Sequence, residues 1–181
     1  MPRYLKDRIP AAPRVLFVGI NPGVRSAAIG HHFAGYSNRF WKLLFDAGLV
    51  SERLSAEEDA RLADWGFGMT NLIARCTPGI DTLKPAEYVG GLRILKRKVR
   101  RVKPAIVAFV GVTLFRAVFS YRPGSPVKLG LQGEWFEGAR VFVLPNPSGR
   151  NANYTYRHML AAFKSLKRYL TSARSVSTPH R

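Results

Sequence analysis

The sequence predicts an α/β fold built on a mostly parallel sheet with helices on both faces. Three observations carry this expectation. Arg14 to Ile20 and Ala105 to Gly111 are short, nearly unbroken apolar runs, the pattern of strands buried on both faces. Segments of helical spacing separate such runs, and strands alternating with helices imply parallel pairing. The chain has 181 residues, 46% of them hydrophobic, which is enough for one domain with a substantial core.

Met1 to Pro13 holds three prolines and mixed charge and reads as an arm leading into the first strand. That strand, Arg14 to Ile20, stops at Asn21-Pro22-Gly23. Pro22 cannot donate to a ladder and holds Asn21 extended. Val24 to Gly35 reads as a long polar loop. Ser37 or Asn38 caps a helix to Ala47, whose Phe40, Trp41, Leu43, Leu44 and Phe45 are too densely apolar for one exposed face. Ser55-Ala56-Glu57-Glu58 is a capping box that opens a short helix to about Trp65.

Phe67 to Ile73 predicts the second strand. Pro85 suits the first turn of a helix in which Leu92, Leu95, Val99 and Val102 recur at helical spacing. After the strand at Ala105, Val112 to Ser120 is helical and Tyr121 to Gly133 is a loop. Trp135-Phe136 and Val141 to Leu144 pair around Gly138. Tyr156 to Leu170 is an amphipathic helix, with Met159, Leu160, Phe163, Leu166 and Leu170 on one side. The expected organisation is an arm (1–13), one domain (14–170) and a disordered basic tail (171–181).

The charge is unusual: +18 at pH 7, with a sequence pI near 10.9. No Asp or Glu lies between Glu87 and Glu134, and none follows Glu137, while acids crowd into Asp46 to Asp64. One strongly basic face is the expected result, and nucleic acid is the partner such a field attracts. The cationic run Arg93 to Lys103 reads either as a solvated helix face or as a groove reader. The single cysteine, Cys76, excludes an intrachain disulfide and a cysteine-ligated zinc or iron–sulfur site. No apolar run approaches a membrane span, and the N-terminus lacks a signal-peptide apolar core, so a cytoplasmic location is expected.

Two loops are candidates for chemistry. Asn21 stands at the carboxyl end of the first strand, where open α/β sheets keep their sites. Val141 to Leu144 is followed by Pro145-Asn146-Pro147-Ser148-Gly149-Arg150-Asn151, a second Asn-Pro loop. Read alone, Asn21 is also a turn residue that satisfies its own loop. The sequence has no phosphate-binding Gly-x-x-x-x-Gly-Lys loop, no dinucleotide glycine motif, no Gly-x-Ser-x-Gly elbow, and no metal spacing at His31 and His32. An amide is no general base near neutral pH, but it orients a water or a carbonyl. Such a site suits a dissociative cleavage, in which the leaving group departs before water attacks.

Gly19-Ile20-Asn21-Pro22-Gly23, Gly30-His31-His32-Phe33 and Asn38-Arg39-Phe40-Trp41-Lys42 resemble the mismatch-specific uracil-DNA and thymine-DNA glycosylases. Gly68-Met69-Thr70-Asn71-Leu72 with Thr77-Pro78-Gly79 looks like the thymine-DNA glycosylase version of the next segment. Leu144-Pro145-Asn146-Pro147-Ser148-Gly149 resembles the DNA-facing loop of the bacterial mismatch-uracil enzyme. The likeness runs in order from about Arg14 to Leu170.

The resemblance implies a three-layer α/β/α fold, a monomer, no cofactor or metal, and double-stranded DNA as partner. It implies excision of uracil, or another modified pyrimidine, opposite guanine, by flipping the nucleotide into a pocket. On this likeness Asn21 positions the attacking water, and turnover is slower than in relatives with a carboxylate there. The backbone at Ile20 and Gly23 holds the departing base, and Phe33 stacks on it. Asn71 and Thr77 read the pyrimidine edge. Ser26 lines the pocket, as does His32, which reads equally as a structural hydrogen bonder. Asn146, Pro147, Ser148, Gly149, Arg150 and Asn151 form the loop that enters the duplex. There this chain departs from the pattern: the bacterial enzyme's leucine and later arginine are replaced by Arg150 and Ala152. Arg150 can fill a vacated stack with its flat guanidinium. Alternatives are a broad uracil-DNA glycosylase acting on single and double strands, or a non-catalytic DNA-binding module on the same fold.

Overall fold

A computed structural model describes residues 4–176. Five strands form one sheet: β1 (Val15–Gly19), β2 (Phe67–Asn71), β3 (Ile106–Val110), β4 (Gly130–Phe136) and β5 (Ala139–Leu144). Their order is β2-β1-β3-β5-β4. All neighbours are parallel except β4, which pairs antiparallel with β5 at the edge. β1, β2 and β3 are buried at every position, as strands covered on both faces must be.

Side chains alternate across the sheet, so each strand feeds two cores. Val15 and Phe17 face a layer made by α2 (Phe40–Asp46), the 3-10 helix Ala56–Trp65 and α5 (Tyr156–Val176). Leu16 and Val18 face α3 (Pro85–Val102) and α4 (Val112–Val118). The result is the three-layer α/β/α sandwich that the sequence predicts. After β1 the chain leaves toward the α2 layer, and after β3 it leaves toward the α4 layer. Neighbouring parallel strands whose connections diverge open a crevice at their carboxyl ends. The site lies there.

Three local expectations need correction. The segment predicted as a loop from Val24 begins with a short helix, α1 (Val24–Ile29). Its buried residue is Ser26, so no apolar stripe betrays it. The short helix expected after Ser55 forms as a 3-10 helix that ends at Trp65. Its capping box forms, but the chain kinks at Glu58 and turns Asp59 inward. β4 starts at Gly130, inside the predicted loop, because only its end residues, Gly130 and Phe136, are buried and no apolar run marks it. The last helix continues past Leu170 to Val176, through residues expected to be tail; residues 177–181 of that tail lie outside the described residues.

The N-terminal arm is not detached. Arg8 and Met69 exchange both backbone hydrogen bonds (2.9 and 2.7 Å), and Leu5 is buried. Asp7 accepts from Thr70 Oγ1 (2.6 Å) and pairs with Lys98 Nζ (2.7 Å). This fastens the arm to β2 and α3. On α3, Lys96 and Arg100 both pair with Glu137, while Arg93 and Arg97 face solvent.

Candidate active site

A cleft of about 630 Å³ opens at the carboxyl ends of β1, β2, β3 and β5. Asn21 stands on its wall, half-buried. The two loops behind it are zipped together. Leu72 N–H donates to Gly19 O and Ile73 N–H to Ile20 O, both at 2.8 Å, continuing the β1–β2 register past the strand ends. This brings the Arg75–Thr77 segment under Asn21. Asn21 Nδ2 donates to Thr77 Oγ1 (2.7 Å) and more weakly to the carbonyls of Pro22 and Arg75 (3.4 Å each). The Thr77 hydroxyl proton is committed to Gly79 O (2.6 Å), so its oxygen must accept from Asn21. Three acceptors around one end of the amide leave a single sensible orientation. Nδ2 points into the protein, and Oδ1 is the end left to accept a hydrogen bond from a cleft occupant.

Asn71 is the β2 partner of Gly19, and it is buried at the cleft wall. Only glycine permits this. A methyl group at Gly19 would lie 2.7 Å from Asn71 Oδ1 and 3.8 Å from the Phe33 ring. Phe33 itself holds a left-handed backbone (φ 52°). One face of its ring stacks on Phe40 (centroids 4.0 Å, interplanar 20°). Phe40 in turn meets Phe17, Trp41 and Phe163 edge-on. Phe33 is thus a flat surface backed by the core and lining the cleft, the geometry of a stacking platform.

The Phe33 loop is held by a carboxylate that sequence reading passed over. The side chain of Asp59 is fully buried. It accepts from Arg8 Nε (3.0 Å) and from the His32 backbone N–H (3.0 Å), and it lies 3.1 Å from His31 Nδ1. His31 is partly enclosed by this contact. His32 is buried and its Nε2 meets Lys6 O at 3.0 Å. Burial pushes its pKa below the usual 6.5, against the opposing pull of the Lys6 carbonyl, Asp59 and Asp7. The neutral ring donates from Nε2 to that carbonyl, a structural use that coexists with a place on the cleft wall. Ser26 Oγ accepts from Ala34 N–H (2.9 Å) and ties the same loop to α1.

Beneath Asn21, Arg75 makes a two-pronged pair with Glu87 at the start of α3 (2.8 and 2.9 Å). The Arg75 guanidinium and the Lys84 amide hold the Glu87 carboxyl down at about 2. Arg75 O is one of the three acceptors of Asn21, so this pair steadies the underside of the site.

The rim is formed by the loop after β5. Asn146, Ser148 and Arg150 reach the cleft. Pro147, Gly149 and Asn151 do not; they hold the loop's shape. Pro147 O accepts from Arg39 N–H (2.9 Å), and Asn151 Nδ2 donates to Asn146 O (2.9 Å). Gly149 packs so closely on Ser37 that a methyl there would lie 2.5 Å from Ser37 Cβ. Thr77, expected on the pocket wall, is buried below Asn21 for the reason given above. Ile20, Gly23, Ser26, His32, Phe33 and Asn71 line the cleft with Asn21 as expected. Leu5, Arg25, Tyr36 and Ile80 also line it and were not anticipated. The polar Gly-Tyr-Ser-Asn setting of Tyr36 is the one signal that pointed outward.

The described cleft lining contains neither Asp nor Glu. Among the described residues no group of three or more His, Cys, Asp or Glu is placed to hold a metal ion. The arrangement offers an oriented amide oxygen, a stacking ring, a buried amide at the strand end and a basic rim.

The fold resembles the solution structure of a candidate uracil DNA glycosylase from Methanosarcina acetivorans, with a TM-score of 0.65 and 16% sequence identity over 94% of this chain and 98% of that one. At that identity the likeness speaks for the fold. The sequence model of the uracil DNA glycosylase superfamily matches residues 6–168, which takes in the arm from Lys6, every cleft residue named above except Leu5, and most of α5. The chain therefore belongs to the uracil DNA glycosylase superfamily.

Proposed function

We propose that this protein is a monofunctional DNA glycosylase that flips uracil out of double-stranded DNA, preferentially opposite guanine, and excises it by hydrolysis. The observation that carries the reading is the forced orientation of Asn21, whose carbonyl oxygen is left for a water while its NH₂ is held by Thr77, Arg75 and Pro22. Superfamily membership supports the glycosylase class.

In this reading the extruded base stacks on Phe33, and Asn71 meets its polar edge. The bond between the base nitrogen and the anomeric carbon breaks heterolytically. The electron pair leaves with the base, and backbone N–H groups near Ile20 and Gly23 stabilise the resulting anion. The sugar becomes an oxocarbenium-like cation. A cation of that kind accepts neutral water, so the water needs a place rather than a strong base. Asn21 Oδ1 accepts one of its hydrogen bonds and aims its oxygen at the anomeric carbon. The water oxygen joins the sugar, one proton passes to solvent, and the free base regains a proton.

The test is single-turnover excision from a labelled duplex with one G·U pair, read by alkali cleavage at the abasic site. Wild-type cleavage at the uracil with loss in Asn21→Ala supports the reading; excision retained by Asn21→Ala refutes the role of that residue. A second reading, uracil excision without guanine preference, is favoured by Arg150. It places an exposed cation where an apolar wedge would give the loop purchase on the orphan base. Comparing G·U, A·U and single-stranded substrates in the same assay separates the two.

A further inference from the structure

The cleft mouth carries an aromatic ring that nothing in the fold requires. Tyr36 is 93% exposed, more than any other large hydrophobic side chain among the described residues. Val24 and Ile80, both exposed, lie on the same lining. An apolar group displayed at a cleft mouth marks a contact surface. The ring is also prepared. The Arg25 guanidinium lies 4.2 Å from its centroid, and Arg25 is itself pinned by Nη1 donating to Ala34 O (3.0 Å). One face of the ring is thereby backed by a fixed, flat cation. The next residue, Ser37, is the one on which Gly149 packs, so the loop of Tyr36 and the loop of Arg150 are locked together.

Extruding a nucleotide leaves a gap in the base stack, and the bases beside it lose a stacking partner. Proteins fill such gaps with flat or apolar side chains. The loop after β5 has no aromatic or aliphatic side chain between Pro147 and Ala152 to do so. We propose that Tyr36, backed by Arg25, is the ring that stacks on the duplex at the step opened by the extruded nucleotide. This rests on the glycosylase reading above. Tyr36 would enter beside Arg150 on the same rim, with Arg25 forming the second layer of a guanidinium–ring–base stack.

The experiment uses the full chain and a duplex with a stable abasic analogue opposite guanine, flanked by 2-aminopurine. Wild-type protein should quench the 2-aminopurine on binding. Tyr36→Ala should abolish the quench and weaken binding about tenfold, the usual scale for one stacked base. Its affinity for a fully paired duplex should stay within about twofold, and Tyr36→Phe should behave as wild type. Because the side chain is solvent-exposed, the fold should tolerate all these changes, which circular dichroism checks. Equal quench and affinity in Tyr36→Ala would overturn the proposal, as would an equal loss on gapped and paired duplexes. If wild-type protein excises uracil while Tyr36→Ala binds unchanged, the stacking role alone falls. If wild-type protein removes no base but binds the gapped duplex through Tyr36, the glycosylase reading falls and the stacking surface stands.

Discussion

The loops after β1 and β5 both begin near Asn-Pro at the carboxyl end of a buried strand, yet they use their amides in opposite ways. Asn21 gives its NH₂ to the protein and keeps its carbonyl for the cleft. Asn146 does the reverse. Its Oδ1 accepts from Ser148 N–H (3.0 Å) in an Asx turn, and its NH₂ has no hydrogen bond among the described residues. The first loop therefore offers the cleft an acceptor and the second a donor. An acceptor suits a water about to be deprotonated. A donor suits phosphate oxygens or a base carbonyl. The same dipeptide thus presents opposite ends of its amide, and the difference comes from what lies behind it. Asn21 is backed by a second loop zipped to its own, whereas Asn146 is exposed and bonds only within its own loop.

The largest test of this contrast is Asn21→Ala. Removing the oriented acceptor should lower single-turnover excision by on the order of 10²–10³-fold, while duplex binding by fluorescence anisotropy changes little. The comparable change at Asn146 should do the opposite, lowering affinity more than rate. If both variants lose rate alike, the two loops do not divide the work.

Thr77→Val comes next. It keeps the volume but removes the acceptor that fixes the Asn21 amide, leaving only the two weak carbonyl contacts. Excision kcat should fall about tenfold with KM unchanged, and Thr77→Ser should restore it. A packing role alone would be served equally well by valine.

A smaller effect is expected at the rim. Asn146→Asp keeps the oxygen that receives Ser148 N–H but replaces the outward donor with a negative charge. Duplex affinity should drop by about three- to tenfold, and the loss should persist at a salt level where phosphate contacts still dominate. Unchanged affinity would mean that the Asn146 amide does not meet DNA.

The smallest effect concerns the wall that carries Phe33. Burial lowers the pKa of His32 below 6.5, so the folded protein favours the neutral ring. The stability gained this way is fully present above pH 6.5 and is lost as pH falls through the lower folded value. The Lys6 carbonyl, Asp59 and Asp7 temper the shift, while the nearby charge of Arg8 adds to it. The melting temperature should therefore decline between pH 7.5 and 5, and His32→Gln should flatten part of that decline.

Much of the frame was legible in the letters. Unbroken apolar runs located β1 and β3, Pro85 and the Leu95–Val99 spacing located α3, and Gly-bounded pairing around Gly138 located the β4–β5 hairpin. What failed lacked a periodic signal. α1 buries a serine, and most of β4 is solvated. The cleft residues Asn21, Phe33 and Asn71 were found through short motifs, each too weak alone.

By itself the sequence determined that a polar amide stands at the end of a buried strand, because Pro22 stops the ladder there and the apolar run before it must be covered on both faces. It also determined a basic protein with no carboxylate near that amide in the chain. Which end of the amide faces the cleft was decided only in three dimensions. The deciding partners, Arg75 and Thr77, lie 54 and 56 residues away and arrive through the β1–β2 register. Asp59 reaches the His32 backbone from 27 residues away for the same kind of reason. Hydrogen-bond direction depends on partners, and partners so distant in sequence become neighbours only when the sheet is assembled.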